Sequence, residues 1–346
     1  MTATATAIRK RLDEGTHRDA GEGFHEYGFR ALGSACELFY RADAPEEAGT
    51  YRSVALDWLA AFEAQFSRFL PDSLVSRIND NAGVGWTETD AQTDLLLDLC
   101  EHHHFITQGA FDATSLPLSE LWDWKRRHDS LPGGDEIAAA KARVGWKRIQ
   151  RAPGRIFLPE PGMKLDFGGV GKEFAVDCLI QLAAAHGIED VMVDLGGDIA
   201  VLGEPPEGGG WYIGLEDPSQ EGKTYCGIRL RSGGAVATSG DYRRCFELDG
   251  QVYGHIIDSR TGWPVGNGTR SVSVIAPRCT MAGLLATSAM IIGGQDAIAM
   301  LERTPGVQAS LWCKGRHYET RGFRRCVLPQ GWDDEVPGAV LQSAAM

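Results

Sequence analysis

The feature that most constrains the fold is a succession of short β-type segments in residues 211–277. They read WYIGLED, CGIRLRS, GAVATSGDY, CFELDGQVYGHIID and SVSVIAP, and turn-forming residues separate them. Helical periodicity lies on both sides, first from residue 46, where Val54, Trp58, Phe62 and Phe66 stand at steps of four, and later in residues 280–292. Strands grouped beside helices favour an α+β fold, with antiparallel or mixed sheets and packed helices, over a doubly wound parallel sheet.

Composition and length indicate one principal domain. The chain has 346 residues, which would allow two domains of ordinary size, but no shift in composition and no linker divides it. We therefore predict a single domain over residues 26–328. The polar residues 1–25 are predicted to form a flexible N-terminal arm, and residues 329–346 a flexible C-terminal tail.

Charge and apolar patterning limit the partners. A net charge of −13 argues against nucleic acid or an anionic membrane surface as the main partner. No apolar run approaches the roughly 18 residues of a transmembrane helix, and the basic N-terminus has no apolar segment after it. The eight cysteines are scattered without a CxxC pair, which indicates reduced thiols. We expect a cytoplasmic protein.

The segment KLDFGGVGKEFAVD, residues 164–177, has the composition of an anion site. Asp166 ends a strand, glycines allow a ligand close to the backbone, and Lys172 opens a helix. The segment matches neither the P-loop nor the dinucleotide fingerprint. Two interpretations stay open, a phosphate-binding loop and an ordinary glycine-rich turn between strand and helix.

A second candidate is GHIIDSRTGWPVG, residues 254–266. His255 and Ile257 are expected on one face of an extended strand, and Asp258 enters a turn over residues 259–262. A histidine at a strand end is either a general base in a cleft or a satisfied structural residue.

Seven segments in order resemble the ApbE-like family, the FAD:protein FMN transferases. They are FSRFLPDSLVSRIND, GAFDATSLPLSELW, KLDFGGVGKEFAVD, VDLGGDI, ATSGDYRRCFELDG, GHIIDSRTGWPV and SVSVIAP. The resemblance implies a T-fold-like α+β architecture that binds FAD in a cleft. It also implies Mg²⁺-assisted cleavage of the FAD pyrophosphate, attachment of FMN to a threonine or serine hydroxyl of a target protein, and release of AMP.

The resemblance also implies roles for individual residues. His255 matches the proposed catalytic histidine, with Asp258 beside it. The residues that match FAD contacts are Leu32, Phe69, Ala110, Phe111, Asp112, Asp166, Lys172 and Ile257. The metal positions correspond to Gly169, Gly283 and Thr287.

The chain departs from the family at three of these places. ALGS stands where Met-Gly-Thr is usual, and Ser259 replaces a proline, which is expected to loosen that corner. Gly283 replaces the metal-binding aspartate, so metal binding is expected to be weak, to use Asp258 or another acid, or to depend on the phosphates of FAD. An aspartate restored at 283 is expected to lower the Mg²⁺ requirement without loss of stability. Two alternatives to the transferase stay open, a flavin carrier or assembly protein without transfer activity and a metal-dependent FAD pyrophosphatase.

Overall fold

The computed structural model describes residues 1–126, 128–220, 222–329 and 340–341. Its α-helices are α1 (Ala3–Leu12), α2 (Pro45–Phe66), α3 (Leu74–Asp80), α4 (Ala91–Ile106), α5 (Leu116–Leu121), α6 (Gly134–Lys141), α7 (Gly171–Ala185), α8 (Cys279–Ile292) and α9 (Gly294–Glu302). Two short 3-10 helices cover Trp146–Arg148 and Phe323–Arg325.

The strands of the first half are β1 (Thr16–Gly21), β2 (Phe24–Ala31), β3 (Ser34–Arg41), β4 (Thr87–Glu88), β5 (Gln150–Ala152), β6 (Arg155–Phe157), β7 (Val191–Leu195), β8 (Asp198–Leu202) and β9 (Trp211–Glu216). Those of the second half are β10 (Thr224–Leu230), β11 (Ala235–Gly240), β12 (Cys245–Leu248), β13 (Gln251–Gly254), β14 (Ile257–Asp258), β15 (Trp263–Pro264), β16 (Thr269–Ala276), β17 (Gln308–Cys313), β18 (Arg316–Glu319) and β19 (Val340–Leu341).

One nine-stranded antiparallel sheet organises the molecule. Its strand order is β1-β2-β3-β7-β8-β11-β16-β17-β18, and every neighbouring pair runs antiparallel. In β3 the buried and half-buried positions alternate strictly, as expected for a strand whose two faces meet different surroundings. The α+β prediction, with antiparallel sheets and packed helices, is confirmed.

Helices cover one face of this sheet. α7 packs against β7 and β8, and α8 packs against β11 and β16. α2 begins with Pro45 at its first turn and buries Ala55, Leu59, Phe62 and Phe66 in the main core. Of the four residues predicted to form the apolar face of this helix, Phe62 and Phe66 are buried, whereas Val54 and Trp58 are only half-buried.

The opposite face of the sheet is covered by the β9–β10 hairpin. Trp211, Ile213 and Leu215 of β9 pack against Met192 and Ile199 of the large sheet in a separate apolar cluster. A third cluster joins Trp122, Ile137 and Tyr253 beside β13. The site described below therefore lies at the helical face, where α7 and α8 begin or end against the sheet.

The flexible N-terminal arm expected over residues 1–25 is wrong for most of its length. Residues 3–12 form α1, whose Ala5, Ile8 and Leu12 are buried on one face, and α1 packs against α2. The Oγ1 of Thr2 accepts a hydrogen bond from the amide of Ala5 at 3.2 Å and caps the helix. Three apolar residues at helical spacing suffice because α2 covers them.

Strand β1 completes this edge of the sheet. It pairs with β2 along the backbone, and His17 stacks on His25 with the ring centroids 5.4 Å apart. All six of its residues are exposed, so its sequence carries little strand signal. Of the tail predicted over residues 329–346, residues 330–339 and 342–346 lie outside the described residues. The backbone of β19 pairs in parallel with β9.

Candidate functional site

The turn that carries His255 is built by local hydrogen bonds. His255 follows β13 directly, and its amide donates to the carbonyl of Arg244 at 2.9 Å. β14 pairs with β15, and between them the carbonyl of Asp258 accepts the amides of Thr261 at 3.1 Å and Gly262 at 2.8 Å. The predicted turn over residues 259–262 is confirmed. His255 itself lies in the bend between β13 and β14, not on a continuous strand.

Ser259 ties this turn to a distant loop. Its side chain is buried, and its hydroxyl donates to the carbonyls of Gly109 and, at 3.0 Å, Ala110. Its amide donates to Ala110 as well, at 3.1 Å. The expectation that a serine here loosens the corner is wrong, because two donors of one residue fix the His255 turn to the segment beginning at Ala110.

The surroundings of His255 keep its imidazole neutral. Burial, followed by the positive charges of Arg244 and Lys172, lowers the pKa of His255 to about 4, against the opposing effect of its backbone hydrogen bond. Its Nδ1 is buried without a hydrogen-bond partner. A neutral imidazole with an unsatisfied nitrogen can accept a proton from a group that a ligand brings.

In the sequence Asp258 stands beside His255, but in the structure its carboxylate pairs with Arg260. Its two carboxylate oxygens accept from Arg260, with Nε to Oδ1 at 2.9 Å and Nη2 to Oδ2 at 2.7 Å. Ile257, half-buried, packs against the cluster that contains Trp122. Both carboxylate oxygens of Asp258 are therefore engaged by Arg260 within the turn itself.

Lys172 lies at the first turn of α7 and reaches β8. Its Nζ is 2.6 Å from Oδ2 of the buried Asp198 and 3.3 Å from the carbonyl of Gly196. Burial would lower the pKa of Lys172, but the carboxylates of Asp198 and Glu173 outweigh burial and raise it. The lysine is therefore a charged, partly exposed cation that is already paired on one side.

The loop before α7 contains the expected glycines but uses many of its own donors. The amide of Gly168 donates to Asp166 at 3.0 Å, and those of Val170 and Gly171 donate to the carbonyl of Phe167. Three of the five amides in residues 168–172 are thus engaged within the loop. As a phosphate cradle, this loop offers fewer free amides than its sequence suggests.

Two aromatic residues border this loop. A Cβ on Gly169 would lie 2.9 Å from the ring of Phe111, so the glycine is what lets that ring approach. Asp166 pairs with Arg68 at 3.3 Å, and the guanidinium of Arg68 lies 4.5 Å from the ring centroid of Phe69. Phe69 is 71% exposed, as a ring that awaits a stacking partner would be.

Asp112, expected beside the flavin, has a structural role. Its Oδ1 accepts from the amide and hydroxyl of Thr114 at 2.8 and 2.6 Å, and its Oδ2 accepts from the amide of Trp146 at 2.9 Å. His104 lies 3.5 Å from the same carboxylate. Asp112 is buried and both of its oxygens accept hydrogen bonds, so it fixes the loop of Ala110, itself buried.

Leu32 occupies an unusual backbone conformation. Leu32 and Gly33 form the two-residue turn between β2 and β3, with φ of 52° and 76°. The amide of Leu32 donates to Glu63 at 3.1 Å, which holds this strained residue in place. A Cβ on Gly196 would lie 2.7 Å from the hydroxyl oxygen of Ser34 and 3.5 Å from Lys172 Nζ, so the turn ends beside the lysine.

The metal positions lie where α7 meets α8. A Cβ on Gly283 would lie 2.5 Å from Cγ and 2.8 Å from Cδ of Glu173, so the glutamate fills the room that a side chain at 283 would need. An aspartate at 283 would therefore not be accommodated without displacing Glu173, contrary to the sequence expectation. Thr287, one turn further along α8, has its Oγ1 3.1 Å from Oγ of Ser239.

The sequence alone does not indicate the roles of four residues of the site: Arg244, Asp198, Ser259 as a link between loops, and Glu173. Asp198 follows the double glycine of VDLGGDI, and Glu173 follows Lys172 at the opening of a helix, so both stand within segments that were noticed. Their partners lie far along the chain, and sequence spacing did not indicate them. Burial and the charge of Asp198 raise the pKa of the Glu173 carboxyl.

A separate cavity borders the loop of Gly109, and neither Lys172 nor His255 is in its lining. It measures about 980 Å³ and includes Asp98, Glu101, Trp146 and Arg151 in its lining. Arg151 is paired there with Asp98 at 2.5 Å and with Glu101 at 3.3 Å. The electrostatic cluster around Lys172 and His255, not this wide groove, has the chemical groups for catalysis.

Comparison with known proteins agrees with the expected family. The model of the ApbE family matches residues 32–311, most of the chain. The chain belongs to the ApbE family. Lys172, Glu173, His255, Gly283 and Thr287 all fall inside the matched range.

Curated ApbE relatives are similar over about two thirds of this chain. The FAD:protein FMN transferase of Vibrio cholerae is 33% identical over 240 residues, which are 69% of this chain and 72% of that protein. The protein of the same name from Treponema pallidum is 32% identical over 253 residues, 69% of this chain and 70% of that protein.

Solved ApbE structures share the fold. The ApbE protein of Thermotoga maritima has a TM-score of 0.80 and 30% identity, and the match covers 88% of this chain and all of that one. The flavin transferase ApbE of Vibrio cholerae has a TM-score of 0.78 and 25% identity, with 90% and 99% covered. In the described part of this ApbE chain, no helix is long and apolar enough to cross a membrane.

Proposed function

We propose that this protein is an FAD:protein FMN transferase that moves FMN from FAD to a threonine or serine hydroxyl of a target protein. The observation that carries the proposal is the state of His255. Burial and two neighbouring cations keep it neutral, and its Nδ1 has no partner. A neutral base next to a lysine is what transfer of a phosphoryl-type group to a hydroxyl requires.

The proposed reaction forms one phosphorus–oxygen bond and breaks another. The acceptor hydroxyl attacks the phosphorus of the FMN half of FAD, and His255 takes the hydroxyl proton. The bond from that phosphorus to the bridging oxygen of the pyrophosphate breaks, and AMP leaves with that oxygen. Lys172, whose charge Asp198 and Glu173 reinforce, neutralises part of the phosphate charge that develops.

The remaining residues orient the flavin donor. Phe111 supplies a ring against Gly169, and the exposed ring of Phe69 lies beside Arg68, which pairs with Asp166 of the same loop. Leu32 lies on the strained turn that ends beside Lys172. Ser259 holds the His255 turn against Ala110, so base and flavin loop keep a fixed relation.

Mg²⁺ is part of the proposal. It would neutralise phosphate oxygens when bound, and it takes one or two carboxylates together with neutral oxygens and substrate phosphates. The Thr287 hydroxyl and the Gly169 carbonyl are neutral oxygens of the right kind, and Glu173 has a buried oxygen without a partner. These groups fit Mg²⁺.

The experiment is incubation with FAD and Mg²⁺, with and without a peptide that carries an acceptor threonine. AMP together with flavin fixed to the peptide is the expected result. AMP with free FMN would indicate the pyrophosphatase, and tight FAD binding without AMP would indicate the carrier. All eight cysteines are free, which suits a reducing compartment. The cytoplasmic location stays a prediction that cell fractionation tests.

A further inference from the structure

Helices α7 and α8 contact each other through two acidic residues of α7. Asp177 on α7 accepts the amides of Cys279 at 2.8 Å and Thr280 at 3.0 Å, and so caps the start of α8. Glu173 precedes Asp177 by one turn of α7, and Gly283 follows Cys279 by one turn of α8. Glu173 and Gly283 lie against each other. The two helices therefore run antiparallel, and Thr287 lies towards the start of α7.

Glu173 is buried, and its carboxyl group is only partly hydrogen-bonded. It is 8% exposed, and its Oε2 is buried without a hydrogen-bond partner. A buried carboxylate oxygen without a donor is unfavourable, and natural proteins keep such an arrangement where a ligand or ion completes it. Gly283 is what gives the carboxylate its room, because any side chain there would overlap with it.

Other unpartnered atoms surround the same lysine. Five buried side-chain atoms of the described residues lack a hydrogen-bond partner, and three of them, in Ser34, Glu173 and His255, lie around Lys172. Their concentration at one place indicates that a bound ligand completes this part of the structure.

The charge at this place indicates which ligand. Asp198 already pairs with Lys172, and Glu173 adds a second carboxylate beside the same ammonium. A second carboxylate would repel the phosphates of FAD, unless a cation lies between them. A hard divalent cation removes the repulsion and satisfies the free oxygen of Glu173 at once.

We propose that Glu173 supplies the anionic ligand of a divalent-cation site, from α7, in place of the side chain that Gly283 lacks on α8. The Thr287 hydroxyl and the Gly169 carbonyl are its neutral partners. The site takes Mg²⁺ or Mn²⁺ and is completed by the phosphate oxygens of FAD. This inference rests on the proposed function, whose substrate it uses.

The first test is cation affinity, with Mn²⁺ as the probe. Mn²⁺ binding to the FAD-loaded protein is measured by electron paramagnetic resonance and by calorimetry, for the wild type and Glu173→Gln. The variant keeps the shape of the side chain and removes its charge. We expect Mn²⁺ binding to weaken by more than about ten-fold, since even groups that only support a ligand change affinity by about 10–100-fold.

Two further variants move the carboxylate to the other helix. Gly283→Asp alone places a side chain in the room that Glu173 occupies, so we expect a lower melting temperature and no gain in Mn²⁺ affinity. Glu173→Gly combined with Gly283→Asp removes the overlap and returns a carboxylate from α8, and we expect Mn²⁺ binding to recover. Asp98→Asn, a loss of one negative charge in the separate cavity, is the control and should leave Mn²⁺ affinity unchanged.

The outcomes separate the inference from the function. Mn²⁺ binding by Glu173→Gln equal to that of the wild type overturns the inference, as does failure of the double variant to recover binding while it folds. Transfer of FMN without any divalent-cation binding overturns the inference and leaves the function standing. Glu173-dependent Mn²⁺ binding without AMP release overturns the function and leaves the cation site standing.

Discussion

The titration of His255 gives the sharpest test of the proposed mechanism. Because burial, Arg244 and Lys172 lower its pKa to about 4, the imidazole is neutral over the whole range in which an ordinary histidine would titrate. With an ordinary pKa of 6.5, only about a tenth of the imidazole would be neutral at pH 5.5, whereas about 97% is neutral with a pKa near 4. We therefore expect kcat/KM for FAD to stay within about two-fold between pH 7.5 and 5.5.

The assay follows AMP release at low FAD concentration with an acceptor peptide. A ten-fold fall of kcat/KM between pH 7 and 5.5 would contradict the argument from burial and charge. Arg244→Gln removes one of the two cations that lower the pKa, so its acid limb should lie at higher pH than that of the wild type. An unchanged limb would mean that Arg244 does not act on the base.

Replacement of His255 tests its role directly. His255→Ala should slow transfer by about 10²–10⁴, the usual effect of losing a general base, and leave the FAD dissociation constant nearly unchanged. Loss of FAD binding instead would show a structural histidine. Transfer at the wild-type rate would place the base elsewhere.

The pH range of this assay is limited by folding stability. Burial lowers the pKa of His255 to about 4 and that of His103 to about 3, while both titrate near 6.5 in the unfolded chain. As the pH falls from about 6.5 to 4, the unfolded chain takes up protons first, so the free energy of unfolding decreases. Rates are therefore compared above pH 5, with a melting curve at each pH.

Two other substitutions test the surroundings of the site, and a third tests whether α1 belongs to the folded domain. Lys172→Met should weaken FAD binding by about 1.5–3 kcal/mol. It should also lower the free energy of unfolding by about 3 kcal/mol, because Asp198 stays buried and unpaired. The double variant Lys172→Met with Asp198→Asn should recover the stability, measured by denaturant titration, but not the FAD affinity, measured by calorimetry. Ser259→Ala should lower the free energy of unfolding by about 1–3 kcal/mol, since the carbonyl of Gly109 loses its donor, and equal stability in urea would contradict this. Leu12→Ala should cost about 2–5 kcal/mol if α1 is integral to the fold, whereas a flexible arm would show no change in melting temperature.

The sequence determined those features that depend on neighbours along the chain. The helical periodicity in residues 280–292 corresponds to α8, and α4 begins where the side chain of Asp90 accepts a hydrogen bond from the amide of Thr93 at 2.8 Å. The turn after Asp258 follows from its residues in the same way. Ordered motifs also sufficed to indicate the ApbE family and hence the α+β fold. In each case the deciding contacts lie within a few residues, so spacing and residue type express them.

Tertiary structure alone decided which groups act together. Ser259 bonds to a carbonyl 150 positions away, and Asp177 caps a helix 102 positions further on. Asp112 and Asp258 resembled functional carboxylates in the sequence, and the structure shows that donors already engage their oxygens, among them the amide of Trp146, 34 positions from Asp112. Gly283 resembled a lost ligand in the sequence, and only the packing of α7 against α8 shows that the side chain of Glu173 occupies the room beside it. These contacts depend on how two elements pack against each other, and the spacing of residues within either element does not indicate that packing.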